Sequence, residues 1–107
     1  MHTNRIEHFE HVIKENPKDT FALFALSKEY EKNKQFNEAI QYLEKLLLID
    51  DKYIGTYYHL AKLYEQINDV KKALNIYDSG ILLAQDLNDF HSLSELKNAK
   101  MNLELDL

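Results

Sequence analysis

The residues best suited to hold a metal ion are two histidines near the N-terminus. His8 and His11 lie three positions apart, beside Glu7 and Glu10, so on a helix their imidazoles could share one face. A structural zinc site takes four ligands, and no third ligand is anchored near this pair. The alternative is that both histidines lie on the exposed side of an amphipathic helix. We therefore expect neither a metal site nor a cofactor.

The sequence carries no arrangement typical of a catalytic site. It has no cysteine, which excludes thiol catalysis, cysteine-ligated zinc and disulfide bonds. It has no P-loop, GxGxxG or GxSxG motif, and its 2 glycines are too few for a phosphate-binding loop. We therefore expect that the protein is not an enzyme.

Pairs of an aromatic residue and a lysine recur along the chain. At 100° per residue, Phe24 and Lys28 project from one flank of a helix, and Tyr58 and Lys62 repeat that flank 34 residues later. An aromatic ring beside a lysine suits an acidic or aromatic-bearing peptide segment. The alternative is that the rings pack between neighbouring helices and the lysines are solvated.

The composition of the 107 residues is that of one globular domain, with 45% hydrophobic and 29% charged residues. The formal net charge of −5 argues against a nucleic-acid partner, because clustered lysine and arginine bind the phosphate backbone. No apolar run approaches the roughly 20 residues that span a bilayer, and the first residues lack the apolar core of a secretion signal. We expect a cytoplasmic protein that binds neither nucleic acid nor membrane.

The apolar residues behind these flanks repeat with a period of 34 residues. Leu26 and Ala39 recur as Leu60 and Ala73, and the spacing within each unit is helical. Asparagine and aspartate at the breaks can cap helices or turn the chain. Gly80, inside the fifth helix, costs roughly 1 kcal/mol against alanine, which indicates a close helix crossing. The pattern predicts six helices, near residues 3–15, 20–33, 36–49, 54–67, 70–86 and 89–104.

In its period and its key residues the sequence resembles the tetratricopeptide repeat family. The family pattern has large, small and tyrosine positions on the first helix of each pair and an alanine on the second. The matching residues are Leu26, Ser27, Tyr30 and Ala39 in one repeat and Tyr57, Leu60, Ala61, Tyr64 and Ala73 in the next. The sequence departs from the pattern at Leu46, where a small residue is usual, and at Asp51 and Gln85, where proline is usual.

The resemblance implies an all-α fold, a solenoid of helical hairpins that stack into a right-handed superhelix. It implies a single domain over residues 1–107, with a half repeat at 3–17, repeats at 20–53 and 54–87, and a C-terminal capping helix at 89–104. We expect this last helix to shield the second repeat and to turn a polar face to solvent. We also expect Tyr30 and Tyr64 to be largely buried.

The resemblance further implies a non-enzymatic adaptor that binds a protein or peptide. In this family the first helices line a concave surface that receives the ligand. Transferred residue by residue, that groove would contain Phe21, Phe24, Lys28, Tyr58, His59, Lys62, His91 and Asn98. One subset of the family clamps a terminal carboxylate with Lys, Asn and Arg. Here Lys28 replaces an asparagine and Glu95 would repel a carboxylate, so we do not expect that clamp.

Two other functions remain open from the sequence. The first is self-association into a dimer or short filament, because Met101, Leu105 and Leu107 offer apolar surface outside the predicted stripe of Phe90, Leu93 and Leu96. The second is a role as accessory subunit of an enzyme complex.

Overall fold

The computed structural model describes residues 3–107, and this part of the chain forms six α-helices. They are α1 (Thr3–Glu15), α2 (Thr20–Lys32), α3 (Phe36–Ile49), α4 (Gly55–Gln66), α5 (Val70–Leu87) and α6 (Phe90–Leu105). Each begins and ends within one residue of the predicted range, and residues 3–107 contain no strand. The predicted all-α fold is confirmed. Within the described residues, no helix combines the length and the apolar character that crossing a bilayer requires.

Aspartate and asparagine define several helix ends. Asp19, Asp69 and Asp89 each accept a hydrogen bond from the backbone N–H three residues later, at 3.0, 3.2 and 3.1 Å. These bonds satisfy amide donors that have no partner inside the helix. Asn68 and Asn88 follow α4 and α5 in the left-handed region, with φ of 63° and 56°. The chain thus makes its turns with few glycines, because asparagine tolerates this conformation.

The chain divides into two compact units, and the first extends to Asp51. In this unit α2 packs against both α1 and α3. The hydroxyl of the buried Ser27 donates to the backbone carbonyl of Ala39 at 2.9 Å, which ties α2 to α3 where both side chains are small. Leu23, Leu26 and Leu43 are fully or almost fully buried and belong to the core.

Tyr30, predicted to be largely buried, packs less deeply than its counterpart Tyr64. Tyr30 is only partly buried; its ring stacks on that of Tyr42 at 5.6 Å between centroids, and its hydroxyl donates to Oε2 of Glu10 at 2.9 Å. Burial and, after it, the Glu10 carboxylate raise the pKa of Tyr30 to about 12. A second contact between α1 and α2 is the ion pair of Arg5 with Glu29 at 3.3 Å. Tyr30 is therefore only partly buried and has polar neighbours on α1.

The second unit begins at Lys52 and contains α4, α5 and α6. Here the predicted close crossing at Gly80 is confirmed. A Cβ atom at Gly80 would lie 2.8 Å from Cβ of Tyr57 on α4 and 3.1 Å from a methyl carbon of Leu96 on α6. Tyr64, at 5% exposure, is buried as predicted, and Tyr77 is fully buried. Gly80 thus lets α5 approach both of its neighbours.

Helix α6 covers α5, and its exposed side combines polar residues with an apolar strip. Its inner side buries Leu96 and Ala99, as a capping helix should. Its outer side exposes Phe90, Met101 and Leu105. The sequence had placed Phe90 and Leu96 on one stripe, yet six residues turn a helix by about 240°, so these two side chains lie on different faces.

Candidate peptide-binding faces

Three of the predicted groove residues lie on one side of α2, here called the α2 face: Phe21, Phe24 and Lys28. Phe21 is 70% exposed, and its ring meets Phe9 of α1 edge to face at 6.0 Å between centroids. Phe24 is partly buried. The Lys28 side chain is 44% exposed, and its Nζ lies 3.6 Å from Oε1 of Glu31. The α2 face therefore presents the accessible ring of Phe21 and, two turns away, a lysine that shares its charge with a glutamate.

Three more predicted residues, Tyr58, His59 and Lys62, lie together on α4 and form the α4 face. The Nζ of Lys62 lies 5.7 Å from the centre of the Tyr58 ring, within range of a cation–π interaction. The His59 ring meets the Tyr58 ring edge to face at 5.6 Å. The same Nζ lies 3.9 Å from Oε2 of Glu65. The α4 face thus repeats the aromatic, lysine and glutamate pattern of the α2 face.

A buried tyrosine holds the glutamate of the α4 face in place. The Tyr77 hydroxyl donates a hydrogen bond to the Glu65 carboxylate, which is also paired with Lys62. Burial, and then this hydrogen bond, raise the pKa of Tyr77 far above its ordinary value, so the hydroxyl keeps its proton and remains a donor. The residue 34 positions earlier is Leu43, which cannot donate to Glu31. The change from Leu43 to Tyr77 at equivalent places in the two repeats was the sequence signal for this hydrogen bond.

The last two predicted groove residues, His91 and Asn98, are exposed on α6. They are seven residues apart and therefore lie on one side of the helix, two turns from each other. Helix α6 also contacts α4 within the second unit. The predicted residues are thus three on α2, three on α4 and two on α6.

The charge on the faces is balanced rather than positive. Lys28 and Lys62 each have a glutamate oxygen within 4 Å, at 3.6 and 3.9 Å. A ligand carboxylate would therefore share each lysine with Glu31 or Glu65 instead of meeting a free cation. Apolar contact with the rings, supplemented by the remaining hydrogen-bond donors of the two ammonium groups, is what these faces offer.

The described part of the chain contains no group of three or more His, Cys, Asp and Glu side chains that could hold a metal ion. His8 and His11 are both exposed on α1.

The sequence can also be compared with known proteins. A sequence model of the tetratricopeptide repeat (TPR) family matches residues 30–96, more than half of the chain. The chain belongs to the TPR family. No curated protein matches the sequence of this TPR protein.

Solved TPR structures agree with this assignment. A TPR domain protein from Salinibacter ruber, solved by NMR, is 38% identical and gives a TM-score of 0.77. The match covers 83% of this chain and 90% of the Salinibacter chain. A protein from Bordetella parapertussis is 25% identical, with 94% and 88% coverage and a TM-score of 0.82. The TPR2B domain of yeast Sti1, in a complex with pHsp70, is 19% identical, with 99% and 85% coverage and a TM-score of 0.89. At that identity the likeness to Sti1 concerns the fold alone.

Proposed function

We propose that this TPR protein is a non-enzymatic adaptor of the cytoplasm that binds a peptide segment of another protein. The binding residues are the α2 face in the first unit and, in the second unit, the α4 face with His91 and Asn98 of α6. The observation that carries the proposal is a ring and a lysine one turn apart on each helix, Phe24 with Lys28 on α2 and Tyr58 with Lys62 on α4. Phe21, at 70% exposure, adds an accessible ring on α2. The complex of the Sti1 TPR2B domain with pHsp70 supports a peptide or protein as the class of ligand.

The chemistry of the faces suggests what the ligand contains. An apolar or aromatic side chain would cover Phe21 and remove its exposed area from water. An acidic residue would accept a hydrogen bond from Lys62, which has three donors and only one of them near Glu65. The ligand class is therefore a segment that combines aromatic or aliphatic residues with acidic ones.

The test starts from a display library of random 12-residue peptides selected on the immobilised full chain. A selected peptide is then synthesised, labelled, and titrated with the protein by fluorescence anisotropy. Phe21→Ala should weaken binding about tenfold, as loss of an aromatic contact at an interface commonly does. The double variant Lys28→Gln with Lys62→Gln should also weaken it and reduce its dependence on salt.

The matched control is Lys18→Gln with Lys71→Gln, which removes the same charge from two exposed lysines outside the faces. Glutamine is preferred to glutamate at positions 28 and 62. A glutamate there would repel Glu31 and Glu65, whereas removing each ion pair costs only about 0.2–0.5 kcal/mol. The proposal fails if no peptide is enriched, or if the selected peptide binds the face variants as tightly as the control.

A further inference from the structure

Helix α6 is apolar on both of its sides. Leu96, Ala99 and Leu103 are buried on the inner side. Phe90, Ser94, Met101 and Leu105 lie within about 60° of one another on the opposite side and form what is here called the outer stripe. Its three large residues are 72%, 52% and 75% exposed, and Leu107, just beyond the helix, is 74% exposed. A helix with apolar residues on both sides is typical of one that packs on both sides.

Two opposite charges lie along one edge of the outer stripe. Lys97 and Glu104 are both exposed and are seven residues apart, so they lie on the same edge of α6, about 10 Å from each other along its axis. In a parallel pair of α6 helices this edge would meet the opposite edge of the partner's stripe, where the exposed Asn98 lies, so neither charge would meet an opposite charge. In an antiparallel pair each meets the other, which places opposite charges together.

We infer that the outer stripe binds a second copy of this chain as an antiparallel pair of α6 helices. A two-fold axis beside Met101 brings Lys97 opposite the partner's Glu104, and by symmetry Glu104 opposite the partner's Lys97. The two Met101 side chains meet at the axis, and their flexible thioethers can adjust to each other. Charge is thus complementary between two copies of the same surface.

The expected dimer is weak and closed. The paired segment runs from Ser94 to Leu107, about 20 Å at 1.5 Å per residue, and so buries less than the roughly 1,200 Å² of a standard stable interface. We expect a dissociation constant of about 100 µM. The pairing uses no residue of α2 or α4 and needs no peptide. It covers Asn98, so a ligand that contacts Asn98 would compete with the dimer.

The experiment is sedimentation velocity of the full chain between about 10 µM and 1 mM, without any peptide. The wild type should change from monomer to dimer over this range. Lys97→Glu alone and Glu104→Lys alone should each weaken dimerisation at least tenfold, because each places like charges opposite each other. The double variant Lys97→Glu with Glu104→Lys restores opposite charges and should return the dissociation constant to within about threefold of the wild type.

The matched control is Leu82→Glu, which places a charge at a leucine that is 67% exposed on α5. Met101→Glu should abolish the dimer, whereas the control should dimerise like the wild type. Circular dichroism verifies that every variant stays folded. A wild type that is monomeric at 1 mM overturns the inference. So does a dimer that is unaffected by the single charge changes, a double variant that does not recover, or continued growth beyond the dimer.

Discussion

Replacing Gly80 with alanine should destabilise the second unit, although alanine is the better helix former. In an open helix the change would stabilise by about 1 kcal/mol. Here the new methyl group would lie 2.8 Å from Cβ of Tyr57, which is fixed to its backbone, and 3.1 Å from Leu96. Overpacking of this kind costs about 1–3 kcal/mol. The net loss should therefore be up to about 2 kcal/mol, and Gly80→Leu should lose more because its added atoms have no space on either side.

The assay is urea unfolding followed by circular dichroism at 222 nm. The matched control is Ser79→Ala, one position earlier on the exposed side of α5, where the gain in helix propensity meets no neighbour. We expect the control to be unchanged or slightly more stable. If Gly80→Ala stabilised the protein as much as the control does, α5 would not pass close to Tyr57, and the reasoning about the crossing would be refuted.

Three further predictions concern other parts of the chain. The free energy of unfolding should fall as the pH rises from 10 towards 12, because Tyr30 has a higher pKa in the folded state than in the unfolded state. In a series of urea midpoints measured against pH, Tyr30→Phe should reduce this fall. Lys34→Gly should raise the unfolding free energy by about 0.5–1 kcal/mol in a urea titration, because Lys34 has a φ of 61° that glycine adopts without strain. Deleting residues 89–107 should cause aggregation, visible by light scattering, because it uncovers the side of α5 against which Leu96 packs.

Helix positions could be predicted from the sequence because local signals agree with the repeat. Apolar spacing marks the helical faces, and aspartates such as Asp19 and Asp89 stand where the observed caps lie. Gly80 was informative for a similar reason. Glycine inside a helix has a local cost, so its presence indicated a neighbour that a side chain would hit.

The environment of single side chains could not be predicted as well. Tyr30 and Tyr64 occupy the same position in their repeats, yet only Tyr64 is buried. The hydroxyl of Tyr30 finds Glu10 on α1, and a 34-residue comparison carries no information about that contact. The glutamates beside Lys28 and Lys62 are a further example. Their spacing was visible, but the extent to which they balance the lysine charge depends on rotamers.

The crossing at Gly80 also limits how such an array can grow. Thirty-four residues earlier, the first repeat has Leu46, which is fully buried. A copy of residues 20–53 in place of 54–87 would put a leucine at position 80, where even a single methyl group would lie 3.1 Å from Leu96 of α6, which the copy does not replace. The two repeats therefore share a length but are not interchangeable parts. Duplicating the gene segment for residues 20–53 would preserve the 34-residue period. The new hairpin could pack only after a compensating change at the helix crossing of position 80.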